Sequence, residues 1–332
     1  MLRLDTADRG AETRGPIHEP VVEMVVRERS AVADGVVLLT LEASSGARLP
    51  AWEPGAHVDL LLEPDLVRQY SLCGDPTDRS RFEIAVLREP NGRGGSAYVH
   101  DKLVVSTGVE VRGPRNHFRL VGSDQYLFIA GGIGITPILP MIEAVSRVGV
   151  PWRLVYGGRS RSSMAFGEDL AARHVGSVTI WPQDEVGLLA LDDLLSSPVR
   201  GTSVYCCGPE GLLEAVEDRC RRWPASALHV ERFSPKPIQS TDPDRAFIVE
   251  LARSGQTVAI PAKANLLDAL VAEGVEIISS CQEGTCGTCE TAVLAGIPDH
   301  RDSVLTEEER TACNVMMPCV SRCRSDILVL DL

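Results

Sequence analysis

The chain has 332 residues, 44% of them hydrophobic and 24% charged, which is the balance of an ordinary globular protein and too long for one compact core. A formal net charge of −13 argues against nucleic acid or an anionic membrane as partner, because both favour a basic face. Ten cysteines without a secretory n-region and apolar stretch at the start argue against a disulfide framework and for a cytoplasmic protein.

Residues 1–16 are polar and rich in Arg, Asp, Glu and Gly, as a loose, disordered extension would be. Short, apolar, β-prone runs then follow one another at Val21–Val26, Val36–Leu41, His57–Leu62, Gln69–Cys73 and Phe82–Leu87. Short strands at this spacing predict an antiparallel barrel or sandwich. From about residue 124 the rhythm changes. Strands are predicted at Tyr126–Ala130, Arg153–Tyr156, Val178–Trp181 and Val204–Cys207, alternating with helices at Ile138–Val148, Ala165–Ala172 and Glu210–Arg221. Such alternation predicts a parallel sheet covered on both faces. The longest apolar region, Tyr126–Ile142, is interrupted by Gly131, Gly132, Gly134, Pro137 and Pro140, so it reads as a buried strand, turn and helix rather than a membrane span. Residues 234–245 hold three prolines among polar residues, as a linker does, and residues 246–332 form a further unit.

Six of the ten cysteines lie between Cys281 and Cys323. Cys281, Cys286 and Cys289 follow a C-x4-C-x2-C pattern, and Cys319 follows after 29 intervening residues, the ligand spacing of a plant-type 2Fe–2S cluster. Two irons need four thiolates; Gly284 and Gly287 let the loop wrap closely and aim its N–H groups at sulfur. A structural zinc site is the alternative, although C-x2-C pairs are its usual form. Cys313 and Cys323 read as spare thiols, Cys323 being nearer to the ligands in sequence. The seven histidines, His18, His57, His100, His117, His174, His229 and His300, show no metal-ligand spacing.

The run Gly131-Gly132-Ile133-Gly134-Ile135-Thr136-Pro137 separates a strand from a helix, where glycines let the backbone approach a pyrophosphate. A tight strand-to-helix turn without a ligand is the alternative. Cys206-Cys207-Gly208-Pro209 ends a later strand, and two such turns in one sheet line a ligand crevice. Cys206 reads as core packing and Cys207 as the residue closer to the crevice. In the β-rich part, Arg68-Gln69-Tyr70-Ser71-Leu72 and Gly92-Arg93-Gly94-Gly95-Ser96 supply groups that can hold a phosphate and flank an isoalloxazine ring. The alternative is a strand with an exposed Arg and a glycine turn.

In this order, the motifs resemble the ferredoxin-NADP reductase superfamily, most closely its phthalate dioxygenase reductase and vanillate O-demethylase reductase branch. The resemblance rests on Arg68-x-Tyr70-Ser71, Gly92–Ser96, Gly131–Pro137, Cys207-Gly208-Pro209, Glu231-Arg232-Phe233 and the four ligand cysteines, and it runs from about residue 17 to Leu332. It implies an FMN-binding antiparallel β-barrel over residues 17–118, a Rossmann-like α/β nicotinamide domain over 119–233 and an α+β plant-type ferredoxin (β-grasp) domain over 246–332. Arg68 and Ser96, with the Gly94–Gly95 backbone, would hold the FMN phosphate, Tyr70 and Ser71 would flank the ring with Ser71 near N5, and Gln69, Leu72, Gly92 and Arg93 are further cofactor-binding candidates. Thr136 and Cys207 would border the nicotinamide, with Gly132, Gly134, Gly208 and Pro209 as further cofactor-binding candidates, and Phe233 would shield the flavin. Ser71, Thr136 and Cys207 are the catalytic candidates. The branch implies NADH as donor; Arg159-Ser160-Arg161 could accept a 2′-phosphate, which makes NADPH the alternative, against a solvated loop as the plainer reading.

The expected activity is a reductase that takes hydride from NADH and passes electrons through FMN and the cluster to a terminal Rieske oxygenase or O-demethylase of aromatic compounds. The protein then supplies positioning and electrostatics rather than acid–base chemistry. A plant-type cluster sits near roughly −400 mV, low enough to reduce oxygenase metal centres. Residues Ala246–Leu332 carry 13 Asp/Glu against 6 Lys/Arg, a formal charge of −7, and this acidic unit is expected to dock the oxygenase, the reductase itself being a monomer. A redox partner for a haem-thiolate monooxygenase and a zinc-stabilised, non-catalytic binding module are the alternatives.

Overall fold

The computed structural model describes residues 20–64, 66–236 and 243–332. The expected extension over residues 1–16, and residues 237–242 of the expected linker, lie outside them. The chain divides into two compact units, Met1–Val230 and Glu231–Leu332.

The first unit opens with β1 (Val21–Ala33), β2 (Val36–Ala43), β3 (His57–Glu63), β4 (Leu66–Ser71), β5 (Arg81–Leu87), helix α1 (Gly95–Lys102) and β6 (Gly108–Arg115). The six strands form one sheet in the order β4-β3-β6-β1-β2-β5. An antiparallel bridge between Leu72 and Ile84 joins the outermost strands, so the sheet closes on itself as a barrel. Alternate residues fill its interior: Met24 and Val26, Leu39 and Leu41, Val58 and Leu60 are fully buried. The expected strands are present, except that β4 starts at Leu66 and leaves the ladder before Leu72. Strand β6 and helix α1 carry no comparable sequence signal. Helix α1 is polar, and the glycine run that precedes it forms the entry turn, with Gly94 left-handed at φ 83°.

A second, five-stranded sheet follows in the same unit. It comprises β7 (Gln125–Gly131), β8 (Trp152–Gly158), β9 (Val178–Pro182), β10 (Thr202–Cys207) and β11 (Leu228–Glu231), in the order β11-β10-β7-β8-β9. Strand β7 runs parallel to both β8 and β10. Phe128 and Ala130 face one core, with Ile135, Ile138 and Ile142, while Leu127 and Ile129 face another, with Leu213 and Val216. Burial on both faces explains why β7 reads as an unbroken apolar run. Helices α2 (Ile138–Val148), α3 (Gly167–Arg173), α4 (Gln183–Val186), α5 (Leu191–Leu195) and α6 (Glu210–Cys220) connect the strands. Because β8 and β10 lie on opposite sides of β7, the sheet reverses its winding there, and the strand ends frame a crevice.

The second unit holds β12 (Phe247–Leu251), β13 (Thr257–Ile260), α7 (Leu266–Ala272), β14 (Thr291–Ala295), β15 (Pro298–Asp299), α8 (Glu307–Ala312), β16 (Val315–Met316), β17 (Arg322–Cys323) and β18 (Ile327–Leu330). Its main sheet has the order β13-β12-β18-β14-β16, with β12 and β18 parallel. Leu266 and Leu270 of α7 pack into the same core as Val249, Leu328 and Leu330, giving a β-grasp arrangement. Among the described residues, no helix is long and apolar enough to cross a membrane.

Candidate redox sites

Three groups of residues carry the chemistry. In the barrel, Arg68 leaves β4 and lies across the start of α1. Its guanidinium donates to the carbonyls of Val67 (2.8 Å) and Arg93 (2.6 Å), and a Cβ on Gly95 would stand 2.3 Å from Arg68 Cγ. Only glycine at 95 lets the arginine lie flat against the first turn of α1. A guanidinium beside such a turn is a fitting cradle for the phosphate of FMN. Ser96 Oγ accepts from Glu89 N–H (3.0 Å), and Gly92 packs on Glu89, so the loop is held from both ends. Tyr70 packs against the barrel core, and burial pushes its hydroxyl pKa well up. Ser71 is buried opposite His57 at the end of β4, and Leu72 is fully buried.

Gln69 behaves differently from its neighbours. Its side-chain amide donates to Asp59 (2.8 Å), the residue opposite it in β3, and therefore faces away from Arg68 and Tyr70. Asp59 is fully buried and also accepts from Arg112 (2.7 Å) and Arg115 of β6. Burial alone would raise its pKa; Arg115, Gln69 and Arg112 together hold it below the ordinary carboxylate value. No sequence motif marked this cluster, because its members come from three strands.

In the parallel sheet, two turns pack back to back. Gly132 is left-handed (φ 55°) and opens a short 3-10 turn, while Pro209, in extended backbone, caps α6. A Cβ on Gly131 would stand 2.7 Å from Pro209 Cδ, and one on Gly208 would stand 2.9 Å from Gly131 Cα. Thr136 donates its hydroxyl to Ile133 O (2.9 Å) within its own turn. Thr136 and Cys207 are 2% and 0% exposed, so neither side chain stands open at the strand ends. Cys206 and Cys207 point into the two different cores of the sheet. Tyr156, absent from every motif, donates its hydroxyl toward Gly132 O and Ala165 O (3.1 Å each) and pins the glycine turn from β8. Of the arginines after β8, Arg159 is exposed, whereas Arg161 makes a two-pronged ion pair with Glu185 (2.8 and 2.9 Å).

In the second unit, Cys281, Cys286, Cys289 and Cys319 are all buried. Gln282, Gly284 and Gly287 take left-handed backbone (φ 55°, 69° and 70°), which winds the loop tightly enough for Glu283 N–H and Thr285 N–H to reach Cys281 Sγ (3.3 and 3.4 Å). Asn265 caps α7 by accepting from Asp268 N–H and donates to Cys319 O (2.6 Å), tying the distant fourth thiol to the helix. Among the described residues, no three His, Cys, Asp or Glu side chains gather about a single point as one ion would require. The sulfurs stand instead as a connected run, Cys281 beside both Cys286 and Cys319 and Cys289 beside Cys319. Hydrogen bonds from Cys286 and Cys319 pull the Cys281 thiol far below its ordinary pKa and those from Cys319 lower Cys289, while the same contacts push the Cys286 and Cys319 thiols up. Four buried thiols in contact with one another, with two N–H donors aimed at the Cys281 sulfur, fit a dinuclear iron–sulfur cluster, whose two irons need four thiolates. Of the two spare thiols, Cys323 lies near Ser325 Oγ (3.1 Å) and Ile297 O, and Cys313 caps α8 and donates to Arg310 O. Phe233 falls in the second unit and is half-exposed.

Residues 249–324 match the family model of the 2Fe-2S iron-sulfur cluster binding domain. The chain is 45% identical over 303 residues to phenoxybenzoate dioxygenase subunit beta of Ectopseudomonas oleovorans, covering 90% of this chain and 94% of that one. The solved structure of phthalate dioxygenase reductase, described as a modular structure for electron transfer from pyridine nucleotides to 2Fe-2S, is 35% identical with a TM-score of 0.69, over 94% of this chain and 98% of the other. An intact type IV self-sufficient cytochrome P450 monooxygenase gives 45% identity and a TM-score of 0.89 over 96% of this chain, which spans only 43% of that longer one.

Proposed function

Because the chain belongs to the family of phthalate dioxygenase reductase and vanillate O-demethylase oxidoreductase, we propose that it is the cytoplasmic, monomeric reductase component of a two-component oxygenase. It is an oxidoreductase that carries electrons from NADH through FMN and a 2Fe–2S cluster to a terminal Rieske-type oxygenase or O-demethylase acting on aromatic compounds. The observation that carries this reading is the gathering of four buried thiols in a chain that also holds a phosphate cradle under Arg68 and a glycine-lined crevice beside Gly134.

Arg68, the Gly94–Ser96 backbone and Arg93 would hold the FMN phosphate; Tyr70 and Ser71 would flank its ring, with Leu72 packed in the barrel core behind them. Gly132, Gly134, Gly208 and Pro209 would admit the nicotinamide nucleotide, with Thr136 and Cys207 beneath it. Bound there, FMN accepts a hydride and releases its electrons singly, which lets a two-electron donor serve a one-electron cluster. The chain's own residues bind, orient and exclude water; no acid–base pair is needed. NADH is the donor we favour over NADPH, since Arg161 already has a carboxylate partner in Glu185.

The acidic second unit supplies the docking face. From Ala264 to His300 it has six carboxylates and no Lys or Arg, and this stretch includes three of the four ligand cysteines. A basic patch on the oxygenase would complement it. Raised salt should slow electron transfer to the oxygenase and leave the NADH-to-flavin step nearly unchanged; equal sensitivity of both steps would sink this docking face.

The similarity to the P450-fused chain favours a second reading, in which the acceptor is a haem-thiolate monooxygenase. An anaerobic NADH titration of purified protein, followed by visible absorption and identification of the released flavin, tests the shared part. Bleaching of flavin and iron–sulfur bands together, with FMN released, supports it. A protein without the iron–sulfur band would remove both acceptors. Anaerobic mixing of the reduced protein with a Rieske oxygenase or a P450 then separates them by which metal centre is reduced.

A further inference from the structure

Gly284 and Thr285 share one peptide group, and both of its polar ends are engaged. The Thr285 N–H donates to Cys281 Sγ (3.4 Å), while the Gly284 carbonyl accepts from Ser303 N–H (2.8 Å). A trans peptide is planar, so its N–H and C=O point in opposite directions and cannot be aimed separately. Whatever fixes Ser303 therefore also aims the donor on Cys281.

Ser303 is fixed with unusual thoroughness. The buried Asp302 carboxylate accepts from Val304 N–H (3.1 Å) and Leu305 N–H (2.8 Å), folding residues 302–305 around itself. From α8, Arg310 donates to the carbonyls of Leu305 (3.1 Å), His300 (3.4 Å) and Asp302, and it pairs with the Asp302 carboxylate (3.3 Å). A capping box between Thr306 and Glu309 holds α8 in place. The two loops then meet without slack: a Cβ on Gly284 would stand 2.6 Å from Val320 Cγ2 and 3.0 Å from Asp302 Cα. One arginine spanning three carbonyls and a carboxylate is more than packing a surface turn requires.

We infer that the 300–305 loop, latched by Asp302 and Arg310, is a positioning device that sets the reduction potential of the cluster by aiming Thr285 N–H at the Cys281 sulfur. An N–H donated to a ligand sulfur stabilises the more negative, reduced cluster and so raises its potential. Ser303, Asp302 and Arg310 touch neither cluster nor nucleotide; they act through the Gly284–Thr285 peptide. The inference rests on the cluster reading above.

The test is an anaerobic spectroelectrochemical titration of the full-length protein, with electron paramagnetic resonance of the reduced cluster and iron counted per chain. Ser303→Pro removes the N–H donor without changing charge, Ser303→Ala keeps it, Asp302→Ala removes the latch, and Arg310→Lys keeps the charge but not the fork. The potential should fall in Ser303→Pro and Asp302→Ala, with shifted g-values, fall less in Arg310→Lys, and stay put in Ser303→Ala. Asp302→Ala decides the sign, because losing a carboxylate would by charge alone raise the potential. An unchanged or raised potential in Ser303→Pro and Asp302→Ala overturns the inference. So does failure of both to assemble a cluster, which would make the contact a folding requirement. A wild-type protein without iron would instead overturn the cluster reading.

Discussion

Gly134 lies so close to Cys207 that a Cβ added to the glycine would stand 2.3 Å from the Cys207 carbonyl oxygen and 2.4 Å from its carbonyl carbon. Both atoms belong to backbone at the end of β10, so nothing nearby can rotate away. Gly134→Ala should force the two turns apart, at about 1–3 kcal/mol of stability. NADH-to-flavin transfer measured by stopped flow should slow, while FMN content stays at the wild-type ratio. A variant with unchanged transfer kinetics would mean the nucleotide does not use this crevice.

Arg68 makes the corresponding case for the flavin. Arg68→Met keeps the apolar stem that lies on Gly95 and removes the charged fork. A charge-assisted hydrogen bond contributes about 1.5–3 kcal/mol. The variant should therefore hold FMN about 10- to 150-fold more weakly, as read by fluorescence when FMN is added back to flavin-free protein. Full FMN occupancy at wild-type affinity would place the phosphate elsewhere.

Asp59 ties acid stability to the barrel. Its pKa in the folded chain is lower than the unfolded value of about 3.9. Its contribution is thus complete above that value and is lost as the pH falls through the lower, folded one. Asp59→Asn should cost about 3–5 kcal/mol at neutral pH by taking the buried carboxylate away from Arg112 and Arg115. Thermal unfolding followed from pH 7 down to pH 2 should show a component of acid loss in the wild type that the variant lacks.

Glu185 bears on the choice of nucleotide. Arg161 is exposed, and its pKa is raised chiefly by the hydrogen bond to Glu185. An exposed pair exerts a small effect, so Glu185→Gln should shift the NADPH-to-NADH ratio of kcat/KM toward NADPH by about two- to fivefold. A ratio that does not move would show that the Arg161 loop lies outside the nucleotide path.

Much of this was legible in the sequence because the signals are local. The Ile138–Val148 helix has the bounds its pattern predicts, and the C-x4-C-x2-C loop with Cys319 names four thiols that do come together. Helix α1 was hidden because it is short and polar, and β6 because its burial is completed by partners in β1 and β3. Asp59 with its arginines, Tyr156 against Gly132, and Asp302 with Arg310 left no trace. Each depends on residues that only the fold brings together. Gln69 sat inside a motif and still faced the other way, because motif membership does not say which side of a strand a residue occupies.

The order of strands in the second unit has a consequence for biosynthesis. Strand β18 sits at the centre of the main sheet, between β12 and β14, yet it follows all four ligand cysteines in the chain. A ribosome has therefore made every thiol before the sheet that presents them has its middle. The thiols are thus expected to stay unshielded until Ile327–Leu330 is made, with iron loading expected to follow. A chain truncated before Ile327 should be recovered without iron even when cluster-assembly factors are abundant.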